Sequence, residues 1–160
     1  MLNITPEIES VIEQALAEDV HLGDPTTSST IPDDLAGTAI LLSKSHGILA
    51  GLPVALGIFQ RVDQSLQTEA WLEDGNHLEP GTRIAQIQGP LSAILMAERT
   101  ALNFLQRLSG IASETARYVQ AVSGLKVRIV DTRKTTPGLR TLEKYAVTIG
   151  GGKNHRHNLG

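Results

Sequence analysis

Two short stretches near the C-terminal end carry the side chains best suited to chemistry. Asp131-Thr132-Arg133-Lys134 places a carboxylate, a hydroxyl, a guanidinium and an ammonium on consecutive residues, and His155-Arg156-His157 sets two imidazoles around a second guanidinium. Cations in this density suit an oxyanion: a guanidinium fork matches a carboxylate or phosphate in two places, and an ammonium acts as a compact point charge. A zinc pair at His155 and His157 is the competing reading. It lacks a third ligand nearby, and Arg156 between the two rings opposes a cation.

These residues need elements to hold them. Val127, Ile129 and Val130, between Gly124 and Asp131, read as a short buried strand, and Pro137-Gly138 reads as a turn. Leu139, Leu142, Tyr145 and Ala146 then recur at helical spacing toward Gly150-Gly151-Gly152. The result is one βα unit with its charges at the strand's exit, the end where α/β folds bind ligands because loops there are free to vary. Charge is segregated in the same sense. Residues 1–90 hold 13 Asp/Glu and 3 Lys/Arg, whereas residues 91–160 hold 4 Asp/Glu and 11 Lys/Arg. A field of that sign gathers anions, although the acidic and basic halves could also pair with each other, within or between subunits. With two Phe, two Tyr and one Trp, stacking platforms for nucleic acid are scarce, so a small anion is favoured.

The stretches ERTALNFLQRLSGIAS (98–113), DTRKTTPGLRTLEKYAV (131–147) and GGGKNHRHNL (150–159) resemble the quinolinate phosphoribosyltransferase family, as do ALAEDVHLGDPTT (15–27) and GILAGLPVA (47–55). The resemblance runs through the whole chain. It implies an open-faced N-terminal α/β sandwich over residues 1–110, followed over 111–160 by the first part of an incomplete α/β barrel, a mixture of α+β and α/β classes. It implies transfer of a phosphoribosyl group from phosphoribosyl pyrophosphate to quinolinate, with loss of CO2, giving nicotinate mononucleotide and pyrophosphate. Arg99, Thr132, Arg133, Lys134, His155 and Arg156 match the family's substrate-binding positions, with Lys134 and His155 nearest the chemistry. Arg99 matches an arginine that reaches the neighbouring subunit's site, which implies a homodimer or higher homo-oligomer. Mg²⁺ is implied on the pyrophosphate of the donor substrate. A molybdenum-transport-associated relative of the same fold, with another acceptor, shares these motifs. Members of the family are nearly twice this length, so the sequence reads as part of a longer protein, inactive or poorly folded in its last third as it stands.

Taken from its start, the chain opens with Thr5 as a helix cap and Pro6 at the first helical position, with Glu7 and Glu9 near the dipole's positive end. Ile8, Val11, Ile12, Ala15 and Leu16 share one face, and the helix is expected to end around Glu18-Asp19. Asp24-Pro25-Thr26-Thr27 reads as a capping turn rather than a metal site. Residues 37–51 read as strands interrupted at Ser45-His46-Gly47, and a helix from Pro53 turns Val54, Ile58 and Val62 inward. Strands around Glu69–Glu73 and Arg83–Gln88 follow, flanked by Asp74-Gly75 and Pro80-Gly81. His21, His46 and His77 show no ligand spacing and read as surface residues.

A carrier module is the reading from another functional class, since DGNHLEPGTRIAQIQG (74–89) resembles hammerhead repeats that carry biotin or lipoate. Such repeats need a lysine at the hairpin tip, and this segment has none. Leu91, Ile94, Leu95, Leu102, Leu105 and Leu108 form one helical stripe with Glu98 inside it, and Ser109-Gly110 is expected to break or bend that helix before another at 111–122. The domain boundary is therefore placed near Gly110. Arg140 reads either as a phosphate contact or as a partner of Glu143, and Lys144 as a solvated lysine. An apolar fraction of 41% supports a sizeable core, no run approaches the ~20 apolar residues of a membrane span, and the acidic start lacks a signal peptide's charge. Zero cysteines exclude disulfides and thiolate chemistry and agree with a cytoplasmic protein.

Overall fold

The computed structural model describes residues 2–20, 25–32 and 34–159. Helix α1 (Pro6–Val20) starts as its sequence dictates: the Thr5 carbonyl accepts the Glu9 N–H at 2.9 Å, and Ile8 and Ile12 are buried. Pro25–Thr30 forms a short helix, α2, where a turn was expected. His21 and Asp24 lie outside the described residues.

Strand β1 (Ala36–Leu42) is followed by β2 (Gly47–Ile48), α3 (Leu52–Val62), β3 (Gln67–Ala70), β4 (His77–Leu78) and β5 (Arg83–Pro90). Strand β5 is central, with β1 and β3 antiparallel on either side, and β2 pairs separately with β4. Residues 74–89 thus supply the middle of a sheet rather than a carrier hairpin. Helix α3 buries Leu52, Val54, Ala55, Ile58 and Phe59, and β5 buries Ile84, Ala85 and Ile87, which places the core on one side of the sheet. Leu42 on β1 stays 53% exposed, as the open face of such a layer requires.

Helix α4 (Leu91–Ala121) departs from expectation twice. It runs unbroken for 31 residues through Ser109 and Gly110. A mid-helix glycine costs only about 1 kcal/mol, and burial of Leu108 and Ala112 on either side offsets it. Its buried face also passes through Ala93, Ala97, Ala101 and Phe104, leaving Glu98 exposed rather than within an apolar stripe. Alanines share this face with Ile94, Leu105 and Leu108, while Leu95 of the expected stripe stays exposed.

Helix α4 also stands in for a strand. Ser109 Oγ accepts the Ala50 N–H at 3.0 Å and donates to the Ala50 carbonyl at 3.2 Å, while Ser113 Oγ accepts the Ile48 N–H at 2.7 Å. The edge at residues 48–50 therefore finds its partners in serine hydroxyls, as buried backbone must. Gly51, at φ +91°, could not carry a Cβ, which would stand 2.5 Å from Leu108 Cδ1.

Beyond α4, the stretch expected to be a buried strand is neither buried nor a full strand. Val127 is 54% and Val130 49% exposed, and one parallel bridge joins Val130 to Lys153. Among the described residues no element covers their outer face, so apolar character alone does not bury them. Helix α5 (Arg140–Ile149) lies between the bridged segments and packs Leu142 and Ala146 against α4. Gly150 permits the approach, since a Cβ there would stand 2.3 Å from the Ala112 carbonyl oxygen. The architecture is an α+β layer followed by the beginning of a parallel α/β unit.

Candidate active site

The parallel bridge sets two loops side by side, 131–138 and 153–157. Asp131 N donates to the Lys153 carbonyl at 3.1 Å and Lys153 N to the Ile129 carbonyl at 2.9 Å. Thr132, Arg133 and Lys134 lie on the first loop, and His155 and Arg156 on the second. The structure thus brings five of the six expected site residues onto adjoining loops. Lys134, His155 and Arg156 are exposed; Thr132 Oγ accepts the Lys134 N–H at 3.0 Å, which leaves the hydroxyl proton free to donate. Arg133 is half-buried, and its Nε is buried without a hydrogen-bond partner. Arg99 stands apart, exposed on α4. Among the described residues no hydrogen bond or ion pair joins it to either loop.

Helix α5 holds both loops. Arg140 donates to Thr135 Oγ at 3.1 Å, to the His157 carbonyl at 3.0 Å and to the Arg133 carbonyl at 3.5 Å. It does not pair with Glu143. That carboxylate instead accepts two bonds from Arg107 of α4, at 3.0 and 2.5 Å, and the Thr136 N–H at 3.1 Å. Burial pushes the Glu143 carboxyl up, but the Arg107 and Thr136 hydrogen bonds outweigh it and hold the carboxyl below its ordinary value.

Lys144 corrects the sequence reading most sharply. Its side chain is 1% exposed, and Nζ donates to Asp131 Oδ1 at 2.5 Å and to the His155 carbonyl at 3.1 Å. Helical spacing identifies which residues share a face, but it cannot show that two loops fold over that face and enclose a charge. Arg107 and Asp74 were missed for a related reason. Asp74 accepts the N–H groups of Gly51 and Leu52, at 2.8 and 2.9 Å, and the Tyr145 hydroxyl at 2.6 Å, joining the start of α3 to α5. Its sequence context, Asp-Gly, signals a turn and nothing of these distant partners.

A groove of about 550 Å³ lies between α1 and the outer side of the first loop, lined by Ile8, Val11, Thr135, Pro137 and Arg140 among others. Lys134, His155 and Arg156 do not line it, so the expected site residues lie on the exposed loop pair and outside this concavity. No group of three His, Asp or Glu side chains among the described residues could hold a metal ion.

Residues 24–109 match the model of the quinolinate phosphoribosyl transferase N-terminal domain, and residues 111–160 match that of the C-terminal domain. The chain belongs to this family. It is 45% identical over 156 residues to quinolinate phosphoribosyltransferase (decarboxylating) 2a, mitochondrial, of Nicotiana tabacum, covering 97% of this chain and 44% of that protein. It is 44% identical over 152 residues to the probable nicotinate-nucleotide pyrophosphorylase (carboxylating) of Synechocystis, covering 95% of this chain and 51% of that one. The crystal structure of NadC from Streptococcus pyogenes superposes with a TM-score of 0.95 at 42% identity, covering 99% of this chain and 57% of that one. The chain thus spans about half the length of these quinolinate phosphoribosyltransferase relatives. The α+β layer and the start of the α/β unit are the parts it shares with them.

Proposed function

We propose that the protein serves transfer of a phosphoribosyl group from phosphoribosyl pyrophosphate to quinolinate, with decarboxylation to nicotinate mononucleotide. The observation that carries this reading is the pairing of loops 131–138 and 153–157, which sets Arg133 and Lys134 beside His155 and Arg156. Quinolinate presents two adjacent carboxylates, and two guanidiniums on adjoining loops match them fork to fork. Lys134 supplies a compact charge, the Thr132 hydroxyl a further donor, and His155 a hydrogen bond that orients the pyridine. Departure of pyrophosphate leaves an oxocarbenium-like ribose, and fixed positive charge lowers that barrier where negative charge develops. Positioning supplies much of the rest.

Mg²⁺ belongs to the donor substrate in this reading. The described residues offer no acidic cluster for it, so no step is assigned to the ion. Arg99, exposed on α4 and joined to neither loop by a hydrogen bond or ion pair among the described residues, acts on the neighbouring subunit's site in a homodimer or larger assembly. The division into residues 1–110 and 111–160 belongs to the same proposal, supported by the change from one family model to the other between residues 109 and 111. So does a cytoplasmic location; no helix among the described residues is long and apolar enough to cross a membrane.

Isothermal titration with quinolinate, repeated on Arg133→Ala, tests the reading. Loss of charge-assisted hydrogen bonds worth about 1.5–3 kcal/mol lowers affinity roughly 10- to 150-fold. Equal affinity of wild type and variant would remove Arg133 from the site, and absence of binding by both would remove quinolinate as the ligand of this chain.

A further inference from the structure

Asp131 and Lys144 form a buried ion pair whose remaining bonds converge on the adjacent residues Asn154 and His155. Their side chains are 6% and 1% exposed, respectively. Such a pair is costly to desolvate and often adds little net stability, so its retention asks for another explanation. Its geometry supplies one. Asp131 Oδ1 accepts the His155 N–H at 2.7 Å, and Lys144 Nζ donates to the His155 carbonyl at 3.1 Å. Both backbone polar groups of His155 are therefore held by opposite ends of the same pair. With its amide turned so that nitrogen faces acceptors, Asn154 adds bonds to Asp131 Oδ2 at 2.7 Å and to the Lys144 carbonyl at 2.9 Å. The His155 and Arg156 side chains remain exposed while the backbone that carries them is clamped from below.

We propose that Asp131 and Lys144 are positioning residues, which touch no substrate and fix the His155-Arg156 backbone against the Arg133 loop. The substrate named in this role rests on the functional reading above, but the clamp does not. Asp131 is the residue that ends the bridged segment, so the pair also couples the two loops: a shift of one carries the other. An exposed five-residue loop with glycines before it would otherwise sample many conformations and bind a rigid dianion poorly.

The test compares wild type with the double variant Asp131→Leu/Lys144→Met, chosen because apolar replacement of a buried pair is often tolerated by the fold. Amide hydrogen exchange is read at His155 and at buried positions of α4, and quinolinate affinity by titration. The expected result is a protected His155 amide in wild type, at least tenfold faster exchange there in the variant with α4 protection unchanged, and at least tenfold weaker quinolinate binding. Retained His155 protection and affinity in a folded double variant would overturn the proposal. So would a His155 amide that exchanges at the unprotected rate in wild type, a result independent of whether the variant folds. If wild type shows the protected amide and the variant loses it, yet neither binds quinolinate, the clamp stands and the substrate reading falls.

Discussion

Tyr145 shows how a single hydroxyl can couple distant parts of the chain. Its partner Asp74 also accepts the first N–H groups of α3, so removing the phenol oxygen leaves the carboxylate two of its three partners. Tyr145→Phe is expected to cost about 1 kcal/mol at neutral pH, read by urea unfolding. Burial, then the hydrogen bond to Asp74 and its charge, push the Tyr145 phenol above its ordinary value of 10.0. The sign follows. The folded protein holds this proton more tightly than the unfolded chain, so the contribution is complete below pH 10 and declines as pH rises beyond it. Wild type therefore loses stability above about pH 10, and Tyr145→Phe lacks this share of the loss. Unfolding midpoints measured at pH 7 and pH 11 check it; identical slopes for both proteins would dissociate Tyr145 from the alkaline response.

Helix α4 does the work of two elements, packing against α3 and the strands of the first ninety residues and, toward its C-terminal end, against α5. The second contact rests on the absence of a side chain at Gly150, whose Cβ would stand 2.3 Å from Ala112 O and 2.7 Å from Thr115 Cβ. Backbone cannot yield as a side chain tip does, so Gly150→Ala is expected to destabilise by roughly 1–3 kcal/mol. Because Glu143 and Lys144 ride on α5, quinolinate affinity should fall with it. Gly57→Ala is the control. Nothing lies within 4 Å of its Cβ in the interior of α3, and the substitution should stabilise by about 0.5–1 kcal/mol. Thermal unfolding of the two variants checks both signs; a harmless Gly150→Ala would mean that α5 does not depend on this close approach.

Over the molecule, charge segregation is not relieved internally. Among the described residues the ion pairs are Arg61–Glu13, Arg107–Glu143, Arg117–Glu114 and Lys144–Asp131, each within its own half of the chain. None joins the acidic residues 1–90 to the basic residues 91–160. The basic excess is left to attract an anion, and the separation of Arg99 from the loop pair suits action on a second subunit. Mixing Arg99→Ala with Arg133→Ala tests that arrangement, since a mixed dimer would contain one site with both arginines. Random pairing restores roughly a quarter of the quinolinate-binding sites. No recovery after dissociation and reassembly would place Arg99 outside the partner's site.

Helices α1 and α3 and the main strands of the first ninety residues were legible because their signals are local: Thr5-Pro6 starts α1, Pro53 opens α3, and glycine turns punctuate the strands, whereas the short helix α2 was read as a turn. That residues 131–134 and 154–157 carry chemistry-bearing side chains was legible from their motifs, and the structure sets the two loops that bear them side by side. What could not be read were relations between distant segments. The serine partners of residues 48–50, the unbroken course of α4, and the enclosure of Lys144 depend on which surfaces meet in space. A sequence specifies side-chain chemistry and helical or strand periodicity over a few turns. Burial and hydrogen-bond partnership are properties of contacts, so whether a lysine meets water or a carboxylate was decided only when loops 131–138 and 153–157 closed over α5.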